Sequence, residues 1–159
     1  MTGCKKEEHY TWKLSGDTLI ISGSDAMPDY DIYGDNYPPW YSNRALITSV
    51  IIEEGITTIG NFAFSGFSAL SSVTIGNSVT SIGDYAFDVC SNLTSICIPY
   101  SVIFIGACAF RCCGFTEIII PNSVVTIDNF AFQGCGELSS VIIGNSLEAA
   151  TAGEVAGTL

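Results

Sequence analysis

The amino-acid sequence predicts a solenoid of stacked coils, built mostly from short parallel β-strands and preceded by a β-hairpin. Three observations support this prediction: a hexapeptide that returns at a fixed period, a strand pattern with the same period, and two β-favouring runs ahead of the first repeat. A fixed period of roughly 20 to 45 residues is typical of stacked units that bury their apolar faces only against their neighbours.

The recurring hexapeptide is Ile-Gly-Asn-Phe-Ala-Phe at its first occurrence, and its copies begin at Ile59, Ile82, Ile105 and Ile127. The spacings are 23, 23 and 22 residues. Every copy ends in an Ala-Phe pair, in which a small and a large side chain alternate inside a tight bend. We expect these pairs to be buried: Ala63, Ala86, Ala109 and Ala131, with Phe64, Phe87, Phe110 and Phe132.

A strand pattern with apolar residues at positions 1, 4 and 6 follows the same period. Its copies start at Ile47, Leu70, Leu93, Phe115 and Leu138. Positions 4 and 6 lie on one face of a strand, and position 1 enters the core from the preceding bend. The five copies predict about five coils over residues 46–147.

The residues ahead of the first coil have a different pattern. Two β-favouring runs, residues 10–14 and 18–22, are joined by Ser15-Gly16-Asp17 and predict a hairpin. We interpret residues 10–45 as a capping module and residues 1–9 as a flexible N-terminus. Large aromatic side chains are available to cover the apolar end of the first coil: Trp12, Tyr33, Tyr37, Trp40 and Tyr41.

The repeat pattern fails after Leu147, since Ala150, Glu154 and Val155 occupy the positions of the strand Ile and of the Ala-Phe pair. We expect residues 148–159 to be a degenerate or disordered end, either a weak helical cap or the remainder of a longer array. An open sheet edge there would allow self-association.

Charge and hydropathy exclude several classes of function. The net charge is −11, and residues 46–159 carry nine acids against the single base Arg111. Such a surface repels phosphate backbones and anionic lipid, so no nucleic-acid partner is expected. No run of 18 apolar residues occurs, so no direct membrane insertion is expected either.

The chain has seven cysteines. Cys90, Cys113 and Cys135 recur in one position of successive coils; we interpret them as buried thiols rather than as disulfide partners. Cys108, Cys112 and Cys113 cluster without a nearby histidine, which argues against zinc. Cys4, followed by two lysines, is similar to the lipid-bearing cysteine of a lipoprotein. Since no apolar segment precedes it, lipidation is expected only in a precursor; alternatively, Cys4 is an ordinary cysteine of the N-terminal module ahead of Trp12.

Evidence for catalysis or cofactors is weak. Residues 29–35 partly match a calcium loop, but Trp40 stands where the last carboxylate belongs, which favours a solvated acidic loop. His9 is the only histidine, and no serine or cysteine has a nearby base. Glu53 and Glu117 are separated by about 14 Å at normal strand spacing, too far for paired acid and base chemistry. We expect neither enzymatic activity nor a cofactor.

The strands closed by Ile-Gly-x-x-Ala-Phe-x-x-Cys, with turns such as Ile-Pro-Asn-Ser-Val at residues 120–124, resemble the BspA-type (Treponema pallidum-type) leucine-rich repeats. The resemblance covers residues 47–147, and residues 12–40 resemble the module that often precedes such repeats. It implies a right-handed α/β superhelix of short parallel strands with short helical or 3-10 turns, and a concave sheet used for adhesion by surface proteins. The departures are Phe67 in the first Cys position and Gly76 and Gly144 in Pro positions.

The outward positions of the strands are the candidate ligand contacts. Position 5 is largely apolar and comprises Ile51, Thr74, Cys97, Ile119 and Ile142. Position 3 is mostly serine and comprises Ser49, Ser72, Ser95, Glu117 and Ser140. Position 7 of the first coil is Glu53. An exposed apolar column indicates a contact site, although strand propensity alone, or burial by a partner chain, also explains it. The sequence therefore predicts a secreted or surface module that binds a host or matrix protein, with a structural element stacking through its open end as the alternative.

Overall fold

The computed structural model describes residues 10–145 and the backbone of residues 149 and 150. They form a β-solenoid of about four turns with almost no helix. The elements are β1 (Tyr10–Ser15), β2 (Thr18–Gly23), a 3-10 helix (Tyr41–Asn43), β3 (Ser49–Ile52), β4 (Thr58–Ile59), β5 (Ser72–Ile75), β6 (Ser81–Ile82), β7 (Phe104–Ile105), β8 (Glu117–Ile120), β9 (Thr126–Ile127), β10 (Ser140–Ile143) and β11 (Ala149–Ala150). No helix among these residues is long and apolar enough to span a bilayer.

The predicted hairpin is confirmed, and its second strand belongs to the repeat ladder. β1 and β2 pair antiparallel around Gly16, whose φ of 63° is the left-handed conformation that glycine adopts without strain. β2 then pairs in parallel with β3, with Thr18 opposite Ser49 and Ile21 opposite Ile52. The hairpin therefore adds an incomplete coil ahead of the first repeat and places β1 at the outer edge of the sheet.

A second ladder of two-residue strands runs through every coil in the order β4-β6-β7-β9-β11. Its pairing is parallel and keeps one register, with Ile59 opposite Ile82 and Ile105 opposite Ile127. β11 pairs with β9. The ladder therefore continues past residue 147, where the sequence pattern ends; residues 151–159 lie outside the described part of the chain.

The third side of each coil is a chain of tight turns, several closed by bonds from residue i+3 to residue i, that do not extend into a helix. The reason is backbone conformation: Phe62, Tyr85, Cys108 and Phe130 have φ between 54° and 60°, outside the helical region. The freed amides bond to the next coil. The N–H of Phe62 donates to the Asp84 carbonyl at 2.9 Å, and that of Phe64 donates to the Ala86 carbonyl at 2.8 Å.

The core is a column of stacked aromatic rings along the solenoid axis. Phe64, Phe87, Phe110 and Phe132 stack with centroid spacings of 5.2, 5.5 and 5.5 Å. All four rings and their neighbouring alanines are at most 1% exposed, as predicted. Trp40 begins the column: its ring stacks on Phe64 at 5.9 Å, and its Nε1–H donates to the Ala63 carbonyl at 2.9 Å.

The aromatic cap prediction is right for Trp40 and wrong for Tyr33, which is 80% exposed. Tyr33 lies in the small loop closed by Asp31 and Asn36, and its ring reaches only the edge of Phe62. Met27 and Tyr30 are buried instead. Their amides donate to the carbonyls of Thr58 and Asn61, so the backbone of this segment runs alongside the first coil.

The six cysteines of the described residues are free thiols. Cys90, Cys113 and Cys135 form the predicted buried ladder. Each Sγ donates to a phenylalanine carbonyl of the preceding coil, at 3.3, 3.2 and 3.2 Å in chain order. Burial raises the pKa of the Cys135 thiol to about 11 and raises the pKa values of Cys90 and Cys113 further.

The strand sheet is interrupted at the third coil. β3 pairs with β5 and β8 pairs with β10, but residues 94–98, which were predicted to be the strand between β5 and β8, form no backbone hydrogen bond with either neighbour. The sequence ahead of β8 is one residue shorter than in the neighbouring coils, since only Gly114 separates Cys113 from Phe115. At Gly114 the backbone is so close that a Cβ would lie 2.3 Å from the Ser91 carbonyl oxygen.

Candidate functional site

The strand face is the outward side of β2, β3, β5, residues 94–98, β8 and β10. The alternation of burial in β8 defines it clearly: Glu117 and Ile119 are exposed, whereas Ile118 and Ile120 are buried. Positions 3 and 5 therefore point outward, and positions 4 and 6 point into the core, as the strand period requires.

The apolar column at position 5 lies on this face. Strand register places Ile51 beside Thr74 and Ile119 beside Ile142. Ile119 and Ile142 are 53% and 51% exposed, Thr74 and Cys97 are exposed, and Ile51 is half-buried. The column extends into the capping hairpin, because Ile20 of β2 pairs with Ile51. We did not predict Ile20, although the alternation of residues 18–21 contains the signal.

The row at position 3 runs beside this column. Register places Thr18, Ser49 and Ser72 in line, and Glu117 beside Ser140. Ser95 belongs to the same row but lies in the interrupted coil. Apart from Glu117, the side chains of this row are short, so they stand lower than the isoleucines of the neighbouring column.

Glu53 and Glu117 give this face negative charge, and neither forms an ion pair among the described residues. Glu53 accepts a hydrogen bond from Ser22 Oγ at 2.6 Å, while Glu117 has no hydrogen-bond or ion-pair partner among the described residues. Arg111, the only base after residue 45, is bound to Asp88 through two contacts of 2.8 and 3.0 Å. The Asp88 carboxylate raises the pKa of Arg111 above its ordinary value.

A cleft of about 490 Å³ opens in the strand face at the interruption. One wall is formed by residues 94–98 and the other by Glu117 and Ile119 of β8, with Tyr100 at one end. Tyr100 is 80% exposed. Neither this cleft nor the exposure of Tyr100 was predicted from the sequence. The spacing of 22 residues between the last two hexapeptides, one fewer than between the others, was the feature that indicated an irregular coil here.

The remaining candidates that lie within the described residues form no site. In the acidic loop, Asp29 accepts the N–H of Asn61 and Asp31 accepts the N–H of Tyr33, so both carboxylates bind backbone. No group of histidine, cysteine and acidic side chains in the described residues has a metal-binding arrangement. Cys4 and His9 lie outside the described residues.

A β-solenoid with an exposed strand face is typical of the class of repeat proteins whose members are in general structural or interaction modules. The family model of the BspA type leucine rich repeat region matches residues 39–153 in six copies, and the chain belongs to this family. No curated protein matches the chain.

Solved structures of bacterial leucine-rich repeat proteins share the fold. A protein from Eubacterium ventriosum is 28% identical over 87% of this chain and 43% of its own length, with a TM-score of 0.68. One from Bacteroides ovatus is 28% identical over 88% of this chain and 41% of its own, with a TM-score of 0.65. The Treponema pallidum leucine-rich repeat protein is 25% identical over 86% and 70%, with a TM-score of 0.61. The chain thus spans less than half the length of the first two.

Proposed function

We propose that this chain is a non-enzymatic protein-binding module of a secreted or surface protein, and that its strand face, concave in the family, adheres to a host or matrix protein. In this proposal residues 10–45 are the capping module and residues 46–147 carry the binding coils. Lipid anchoring through Cys4 would occur in a precursor.

The exposed isoleucines of position 5 carry the proposal. Ile119 and Ile142 lie side by side in register, each about half exposed, next to Glu117 and Ser140. Apolar side chains grouped in this way contribute binding free energy when a partner covers them, since each loses its contact with water. The neighbouring small polar side chains leave room for a partner's backbone.

Binding to immobilised fibronectin and fibrinogen tests the proposal. The triple variant Ile51→Glu, Ile119→Glu, Ile142→Glu is expected to lose saturable binding by at least tenfold while keeping its circular dichroism spectrum. Ile103→Glu is the matched control, because Ile103 is 51% exposed but lies outside the strand face. Equal binding by the triple variant and the wild type would place the contact elsewhere.

A second function, assembly through the last coil, is favoured by Ile143. This position-6 residue is 40% exposed, whereas its counterparts Ile52 and Ile120 are 1% and 2% exposed. Assembly predicts a mass that rises with concentration in light scattering and returns to that of a monomer in Ile143→Lys. A constant monomer mass in the wild type would contradict it.

A further inference from the structure

The cleft at the interrupted coil has a composition that differs from the rest of the strand face. Residues 94–98 line it, and neither their amides nor their carbonyls have a hydrogen-bond partner among the described residues. Unpaired backbone groups gain a hydrogen bond at little cost when a ligand supplies the matching group, because they are already held in place by the coil.

The carboxylate of Glu117 lies on the opposite wall and is also unpartnered in the described structure. The free backbone of residues 94–98 offers donors and acceptors alike, whereas the Glu117 carboxylate is an acceptor only and carries a negative charge. The only base of residues 46–159 is bound to Asp88, so no base of these coils neutralises Glu117, and the cleft favours a cationic ligand.

The remaining surfaces of the cleft are apolar or aromatic. Ile96 and Ile119 contribute aliphatic surface, and the ring of Tyr100 stands at one end. A long aliphatic stem packs against such side chains, and a planar cation packs on an aromatic ring. The volume of 490 Å³ is ample for a single long side chain.

We infer that the cleft receives an arginine side chain of the partner protein, with the guanidinium between Glu117 and the free carbonyls of residues 94–98. Guanidinium binds a carboxylate with two parallel N–H donors, packs flat on an aromatic ring such as that of Tyr100, and keeps further donors for the free carbonyls, which the compact ammonium of lysine cannot do at once. This inference rests on the proposed function, since it names the chemical group that the bound protein presents at the interrupted coil.

A blocked pentapeptide, acetyl-Ser-Val-Arg-Val-Ser-amide, is the probe, titrated into the ¹⁵N-labelled chain and followed by amide chemical shifts. We expect shifts at residues 94–98 and 116–119. Peptides with citrulline, lysine or glutamate in place of arginine keep the length but change the charge or its shape. The arginine peptide is expected to bind at least fivefold more tightly than any of them.

The variant Glu117→Gln is expected to weaken the arginine peptide at least fivefold. Glu137→Gln is the matched control, because Glu137 is also an exposed carboxylate but lies outside both the strand face and the cleft, and it is expected to change the affinity by less than twofold. Cys97→Trp, which fills the cleft, is expected to abolish the shifts at residues 116–119.

Several outcomes would overturn the inference: shifts confined to other surfaces, equal binding of the arginine and citrulline peptides, equal binding of lysine, or an unchanged affinity in Glu117→Gln. Its failure is distinguishable from failure of the proposed function. A matrix protein that binds Glu117→Gln as tightly as wild type, but does not bind the triple isoleucine variant, leaves the strand face as the adhesive surface and removes only the arginine.

Discussion

Each coil bends at two residues in the left-handed conformation, four positions apart. In the first coil these are Phe62 and Gly66, and in the second they are Tyr85 and Val89, with φ of 56° and 58°. The bends aim alternate amides at the next coil, where the Val89 N–H donates to the Arg111 carbonyl. A β-branched residue is strained in this conformation, so Val89 is held in place by the stacking of the coils.

Val89→Gly is therefore expected to stabilise the protein, by about 1 kcal/mol in the free energy of unfolding, because glycine has no steric conflict at positive φ. Val89 is 41% exposed, so little packing is lost. Chemical denaturation measures the change.

Gly66→Val is the matched control for Val89→Gly. Gly66 has a φ of 77° and open space where a Cβ would lie, so its loss of stability reports backbone strain alone. If Val89→Gly instead destabilises the protein, the packing of the valine side chain stabilises the fold by more than its backbone strain destabilises it.

The buried thiols predict a loss of stability at alkaline pH. Burial holds the pKa of Cys135 at about 11 in the folded chain, whereas an unfolded thiol titrates near its ordinary value of about 8.5. The stabilisation is complete below the lower value and falls as pH rises toward the upper one, because the unfolded chain releases its proton first. The stability is therefore expected to fall steadily between pH 8 and 10.5 because of this thiol.

Unfolding in denaturant at pH 8 and at pH 10.5 measures this loss. Cys135→Ala has no thiol to titrate at this position, so its stability is expected to fall less over the same interval. Identical pH dependence in the two proteins would contradict the assignment.

At the scale of elements, side-chain oxygens on one edge of the turns hold successive coils together. Asp29 Oδ1 accepts the N–H of Asn61, Asn61 Oδ1 accepts the N–H of Asp84, and Asp84 Oδ1 accepts the N–H of Ala107, at 2.9, 2.7 and 2.8 Å. The ladder ends at Ala107, because the alanine side chain has no oxygen that could accept an N–H of the next coil.

The glycine ahead of each ladder position is a consequence of this bonding. A Cβ on Gly83 or Gly106 would lie 2.5 Å from the oxygen of the preceding coil. Asp128 occupies the equivalent position after Ala107, where that oxygen is missing, and its own Oδ1 accepts the N–H of Asn129 at 2.7 Å.

The double variant Ala107→Asn, Asp128→Gly is expected to extend the ladder by one coil, whereas either single change destabilises the protein. Ala107→Asn alone crowds Asp128, and Asp128→Gly alone removes a hydrogen bond. A double-mutant cycle in denaturant is expected to give a favourable coupling of about 1 to 2 kcal/mol. Additive single effects would show that the two positions do not interact.

The interrupted strand predicts uneven hydrogen exchange across the sheet. Residues 95–98 have free amides, whereas β3 is bonded to neighbours on both sides. Amides of residues 95–98 are therefore expected to exchange at least a hundredfold faster than those of β3, as measured by NMR or mass spectrometry. Equal protection would show that the third strand is paired in solution.

At the scale of the whole molecule, each coil is stabilised by packing against the next one along the aromatic column. The cap contributes the first ring of that column, Trp40. Each coil contacts mainly its neighbours, as in other repeat proteins, so an uncovered end frays first. Trp40 is fully buried, stacks on Phe64 and satisfies the Ala63 carbonyl.

Trp40→Ala is therefore expected to cost about 3 to 5 kcal/mol, the range for truncation of a large buried ring. The urea m-value is expected to fall as well, because the first coil would already be open in the folded state. Trp12→Ala is the control: Trp12 is 39% exposed and meets Trp40 only edge-on, so a loss of about 1 kcal/mol is expected. Equal losses of stability in the two variants would show that Trp40 contributes no more to the cap than Trp12 does.

The proposed adhesive surface also belongs to this scale, because no single coil contains it. Ile20, Ile51 and Thr74 become neighbours only when coils stack in register, and Ile119 and Ile142 do so in the same way beyond the interruption. The repeat period determines which residues share a column of the strand face, so these columns can be predicted from the sequence alone.

The sequence by itself determined the solenoid, the hairpin, the buried Ala-Phe pairs, the thiol ladder and the outward positions of the strands. These features repeat, and a local pattern with a fixed period contains all the information that stacking requires. Tertiary structure alone decided the features that depend on contacts between coils: the burial of Met27, the exposure of Tyr33, the glycines beside Asn61 and Asp84, and the cleft beside Glu117. A shortening by one residue is a small change in sequence, but its effect on strand pairing depends on how the adjacent coils pack.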